Sequence, residues 1–107
     1  MARQAKYTLI FAPEAIEHLD RIESKYLGLL ERSIREQLTY TPGEETRNRK
    51  PLEPPAPFSA AWEIRCGPDN RFRVFYEIDL LAREVRVLAI GIKDRNRLFI
   101  GGEEYEA

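Results

Sequence analysis

Between Trp62 and Arg97 the chain reads WEIRC, a turn, RFRVFYEID, a second turn, EVRVLAIGI and then KDRNR. Segments rich in Val, Ile, Phe and Tyr are divided by Gly67-Pro68-Asp69-Asn70 and by Asp79 to Arg83. β-Branched and aromatic residues punctuated in this way leave few alternatives to an antiparallel β-meander. Side chains alternate between the two faces of a strand. In the middle segment Phe72, Val74, Tyr76 and Ile78 therefore share one face, and Arg71, Arg73, Phe75 and Glu77 the other. In the first segment Trp62 and Ile64 oppose Glu63 and Arg65. The sheet has an apolar face, with Trp62 and Tyr76 in the core, and a second face that carries arginines. A chemical site is expected on the second face.

The chain upstream supplies a cover for the apolar face. Lys6 to Phe11 is β-prone and reads as a first strand. Pro13 suits the first turn of a helix, where its missing N–H costs nothing, and Glu14 and Glu17 favour the same end of the helix dipole. Ile16, Leu19 and Ile22 are expected to form its inner stripe, and Leu27, Leu30, Ile34 and Leu38 that of a second helix from about Leu27 to Tyr40. A break at Ser24 to Gly28 makes the pair an αα-hairpin packed on the meander. Thr41-Pro42-Gly43 ends the second helix. Residues 43–61 hold four prolines and no usable period, so they read as a long loop. The chain closes with Leu98-Phe99-Ile100, Gly101-Gly102 and an acidic segment.

At 107 residues, 43% of them hydrophobic and 33% charged, one globular domain spanning 1–107 is expected. A lone cysteine, Cys66, excludes an internal disulfide framework and a cysteine zinc cluster, and suits a reducing cytoplasm. No run approaches the ~20 apolar residues that span a bilayer, so no membrane partner is expected. The net charge of -1 argues against a uniformly basic nucleic-acid binder. Its distribution is more informative. Residues 47–97 carry 11 basic and 7 acidic side chains, whereas residues 1–46 carry 6 and 8, and residues 98–107 carry none and 3. A local basic surface is therefore compatible with an acidic total.

The order strand, helix, helix, strand, strand, strand resembles the RelE/ParE toxins of bacterial type II toxin–antitoxin systems. The carrying residues are Trp62-Glu63-Ile64-Arg65, then Arg71 to Ile78, then Val87-Leu88-Ala89-Ile90-Gly91 with Lys93 soon after. Phe11-Ala12-Pro13-Glu14-Ala15 and Lys50-Pro51-Leu52 also look like this superfamily. The resemblance covers nearly the whole chain and implies a compact α+β fold: an N-terminal strand, a helical hairpin and a three-stranded antiparallel meander in one small sheet. It implies a cognate antitoxin as partner, and in RelE-like members the ribosome and mRNA. By the same resemblance Arg65, Arg73 and Lys93 fall where RelE-like nucleases place catalytic cations. Glu63 stands where those enzymes have a lysine, and Phe99 near where they have a catalytic tyrosine. The superfamily also contains gyrase inhibitors of the ParE kind, so a non-catalytic toxin, or a member that mainly binds its antitoxin, stays open.

RNA cleavage by 2′-OH attack needs a base for the 2′ proton, cations for the phosphorane and an acid for the leaving 5′ oxygen. Arg65 and Arg73 on adjacent strands suit a phosphate clamp, or else pair with Glu63 and Glu77. Glu63, or Glu53 in the loop, is a candidate base. Lys93 contacts a phosphate or, with a lowered pKa, acts as base. Phe99 stacks on a nucleobase or packs on the core. Arg47, Arg49, Lys50, Arg71, Arg95 and Arg97 are candidate RNA-backbone contacts. His18 is placed on the outer surface of the first helix, away from the meander, which excludes a paired-histidine mechanism, and Cys66 is expected to be inert. With no metal-ligand cluster and no Gly-rich phosphate loop, no cofactor is expected. Arg73→Ala is expected to abolish activity and spare the fold.

Overall fold

A computed structural model describes residues 5–106 of the chain. Its elements run β1 (Thr8–Phe11), α1 (Pro13–Leu19), α2 (Leu27–Leu38), β2 (Arg49–Pro51), β3 (Trp62–Cys66), β4 (Phe72–Asp79), β5 (Glu84–Asp94), β6 (Arg97–Ile100) and β7 (Glu103–Tyr105). The strands form one sheet in the order β2-β3-β4-β5-β6-β7. Every pair in that row is antiparallel. β1 runs parallel to β5 and pairs with its first half, Glu84 to Val87, whereas β6 pairs with Gly91 to Asp94. β4 occupies the other edge of β5, so β1 and β6 share one edge and leave a gap between them. No described helix is long and apolar enough to cross a membrane.

The expected α+β architecture is present, with the helical hairpin on one face of the meander. Ile64, Phe72, Val74, Tyr76, Val85, Val87 and Ile90 meet Ala15, Ile22, Leu30, Ile34 and Leu38 in the main core. Burial of this apolar area is the chief stabilising term, at about 1.5–3 kcal/mol for each large side chain. Tyr76 is wholly buried, and its hydroxyl donates to the Pro42 carbonyl (2.8 Å), which satisfies the one polar atom the ring carries inward. On α2, Leu30, Ile34 and Leu38 recur every four residues and face inward.

The inner face of α1 differs from expectation. Ala15, His18 and Ile22 turn inward, and Ile16 is 55% exposed. The spacing 15, 18, 22 keeps to one face of a 3.6-residue helix, whereas 16, 19, 22 drifts off it. α1 is also short, since the Asp20 N–H already bonds the Glu17 carbonyl and Ile22 lies beyond the last turn. Its start behaves as the sequence suggests: Ala12 stays extended, and Pro13 opens the helix with no side-chain cap.

Two segments read as irregular turn out to be paired. Within residues 43–61, β2 adds to the edge of β3 with Lys50 opposite Glu63. The acidic C-terminal segment folds back as a β6–β7 hairpin through Gly101-Gly102, with φ of 63° and 84°. Positive φ at both central residues is what a two-residue hairpin loop matched to strand twist requires, and glycine adopts it without penalty.

Candidate functional site

The face opposite the helices splits into an apolar half and a charged half. Phe75, Ala89 and Ile100 form a small second core with Ala60, flanked by Leu52, Leu88, Leu98 and Tyr105. Beside it the register sets Lys50 next to Glu63, and Arg65 opposite Arg73, which in turn neighbours Gly91. Three strands thus bring the expected residues Lys50, Glu63, Arg65 and Arg73 onto one surface.

Glu63 sits at the centre of this surface with its side chain only 8% exposed. One carboxylate oxygen accepts from Arg73 Nη1 (3.2 Å), and the other lies 3.7 Å from Lys50 Nζ. Arg73 is 13% exposed, and its Nε donates to the Asn70 carbonyl (3.2 Å). Two of its nitrogens are thereby fixed, and Nη2 is left without a protein partner among the described residues. Arg65 is half-buried and has no ion pair among them. The expectation that Arg73→Ala would spare the fold does not stand, because removal of the guanidinium would leave a buried carboxylate short of its nearest cation.

The open part of the charged half is a cleft of about 700 Å³ at the end of the sheet. Arg71 enters from the end of the β3–β4 turn, Arg73 from β4, Lys93 from β5, and Arg95 from the β5–β6 turn. The Lys93 N–H donates to the Arg71 carbonyl (2.7 Å), which locks these two backbones side by side. The β3–β4 turn adds Asp69, with φ of 55°, and β5 adds Asp94. Tyr26 closes the cleft from the turn before α2, its ring set edge-on against Phe72 at 5.4 Å. Four cations against two carboxylates leave the cleft positive in a chain whose net charge is -1. The sequence carried no signal for Tyr26, Asp69 or Asp94, because they come from turns and a strand end with no period to align them.

Other expected contacts lie elsewhere. Arg49 is 4% exposed. Its guanidinium donates to the Thr41 and Glu44 carbonyls and to Gln37 Oε1 (2.8 Å). This arginine ties the end of α2 to β2 and is not available to RNA. Phe99 pairs with Ile92 on the helix side of the sheet, next to His18, so it does not share a surface with Arg65 and Arg73. Arg97 is exposed on that same side and lies 4.0 Å from Glu104. Arg47 and Glu53 are exposed in the loop, and Arg47 directly precedes Asn48, whose carbonyl accepts the Arg65 N–H (2.8 Å).

His18 also departs from expectation. It is 8% exposed, and its Nδ1 accepts the Ile90 N–H (3.2 Å) in the gap between β1 and β6. Burial lowers its pKa, and Glu14 and Glu17 oppose that shift. Cys66 is buried, and burial pushes its thiol up to about 11, far from the thiolate that reactivity requires.

No family model and no curated protein matches the chain. Among solved structures, it superimposes on a chain of the toxin–antitoxin complex RelBE2 from Mycobacterium tuberculosis with a TM-score of 0.67 and 22% identity. The match covers 87% of this chain and 98% of that one. The fold is therefore the RelE-like α+β fold that the sequence resemblance implies.

Proposed function

We propose that the chain is the toxin of a type II toxin–antitoxin system and acts as a ribosome-dependent mRNA endoribonuclease. The observation that carries this reading is the convergence of Arg71, Arg73, Lys93 and Arg95 on one open cleft beside Arg65, which has no ion pair among the described residues. A single-stranded RNA backbone entering that cleft meets cations from two strands and two turns. Arg65 and Arg73 Nη2 donate to the scissile phosphate and stabilise the charge of the phosphorane. Glu63 is committed to fixing Arg73, with both carboxylate oxygens engaged by cations. Asp94 or Asp69 is better placed to take the 2′ proton, being carboxylates that line the cleft. Tyr26 offers an aromatic edge to a nucleobase. The ribosome supplies the substrate geometry that such an open site lacks.

The reading requires an antitoxin. The neighbouring structure is a complex of toxin and antitoxin, and this chain has an apolar groove between α1 and α2, with Ile16 exposed beside Leu19 and Leu27. An antitoxin segment covers either that groove or the basic face.

A second reading, a non-catalytic toxin of the ParE kind, draws on the neutralised Glu63. Mapping of mRNA 5′ ends on ribosomes shortly after induction separates the two. New ends within codons are expected for the native chain and absent for Arg65→Ala and Lys93→Ala, whose side chains hold no buried partner. Growth arrest with no new ends overturns the nuclease reading and points to DNA gyrase as the next target to assay.

A further inference from the structure

His18 has one nitrogen committed and one left over. The Ile90 N–H can only donate, so Nδ1 is the acceptor and the neutral ring carries its proton on Nε2. That Nε2–H has no hydrogen-bond partner among the described residues, although His18 is 8% exposed. Nε2 still reaches solvent, so it presents an open donor to the adjoining pocket. The ring edge lies against Gly101: a side chain there would come within 3.1 Å of Cδ2 and 3.5 Å of Nε2. One turn along, the Arg21 guanidinium leans over Gly102 and makes no ion pair among the described residues. Ile92 and Phe99 wall the space between them, a pocket of about 230 Å³. On the outer side, Phe58 packs edge-on against the imidazole at 5.3 Å. Phe58 and Ser59 are held there with φ of 55° and 57°, a conformation that costs non-glycine residues energy.

We propose that this pocket binds a carboxylate on a short aliphatic stem, the chemistry of a glutamate side chain. The His18 Nε2–H and the Arg21 guanidinium supply donors and no acceptor, as a carboxylate requires. The apolar walls take the methylenes. A phosphodiester or phosphate is disfavoured, because Glu17, Asp20 and Glu103 rim the adjoining cleft and repel higher negative charge. The site lies on the helix side of the sheet, away from the cationic cleft, and does not depend on the nuclease reading.

The test is an NMR titration of the intact chain with butyrate, followed at the His18 ring and at the Gly101 and Gly102 amides, beside sodium chloride and inorganic phosphate at equal ionic strength. Saturable shifts with butyrate alone are expected. Arg21→Ala removes an exposed side chain and should weaken binding by about tenfold or more. His18→Asn retains an acceptor near Nδ1 for the Ile90 N–H and removes Nε2–H, so the fold should persist while the shifts at Gly101 and Gly102 vanish. Shifts that do not saturate, that appear equally with chloride or phosphate, or that survive both substitutions would overturn the proposal.

Discussion

The arginine face owes its shape to pairs of side chains more than to single ones. Glu63 is buried between Arg73 and Lys50, and a buried charge is tolerable only while its partners remain. Arg73→Ala should therefore lose about 2 kcal/mol in urea unfolding, softened by Lys50, which stays. Glu63→Gln in the Arg73→Ala background should recover a good part of that loss, since a neutral amide needs no cation. Strict additivity of the two changes would mean that the pair contributes nothing. Arg65→Ala should stay within about 0.5 kcal/mol of the native chain, which makes it the cleaner probe of activity. His18 gives a second prediction at this scale. Burial lowers its folded-state pKa from the ordinary value of 6.5. The unfolded chain thus takes up the proton first, and stability should fall as pH drops from about 6.5 through the folded-state pKa. Glu14 and Glu17 on the same helix limit the shift. His18→Asn should flatten that limb of the stability–pH curve, while the loss of stability in acid that carboxylates cause persists.

Among the elements, β5 is the one on which the others depend, because it pairs with β4 on one edge and with β1 and β6 on the other. Gly91 is where that arrangement is tightest. A methyl group there would lie 2.9 Å from Leu98 Cδ1 and 3.1 Å from the Phe99 carbonyl oxygen. Gly91→Ala should cost about 1–3 kcal/mol through overpacking, and amide exchange should show where the strain goes. Faster exchange is expected at Phe99 and Ile100, with little change in α2. Uniform acceleration across the chain would show that β6 is not a separable unit. The same strand shows what the sequence conveyed. Its apolar residues shift from Val85 and Val87 to Ile90 and Ile92, an odd-to-even change of parity. The structure explains the change with a bulge: Phe75 faces Ala89 while Tyr76 faces Val87, and Leu88 is the extra residue. The alternation in β3 and β4 is regular, so the two faces and Arg65 opposite Arg73 could be read directly. β2, β6 and β7 could not, since three or four residues carry too little period. Arg49 and His18 escaped for a different reason. A charged or polar residue is assigned to the surface by default, and only its tertiary partners reveal that it is buried.

At the scale of the whole molecule, the balance to explain is an acidic chain that carries a positive cleft. Long-range attraction cannot bring RNA to a chain with net charge -1, so affinity must arise from the few cations that touch phosphate. Salt dependence counts such contacts. For single-stranded RNA the slope of log K against log salt is about -0.7 per neutralised phosphate. If Arg71, Lys93 and Arg95 each meet one, replacing all three with Ala should reduce the magnitude of the slope by about 2. A control chain with Arg47, Arg83 and Arg97 replaced has the same net charge but an intact cleft, and its slope should stay close to native. Both triple variants can be compared by fluorescence anisotropy with one short unstructured oligoribonucleotide over a range of salt. Equal losses in the two chains would mean that total charge governs binding, and the cleft would lose its claim as the RNA-binding surface. A loss confined to the first chain would tie binding to these turns, which hold the cations in place through the Lys93-to-Arg71 backbone bond and the positive φ at Asp69 and Arg95.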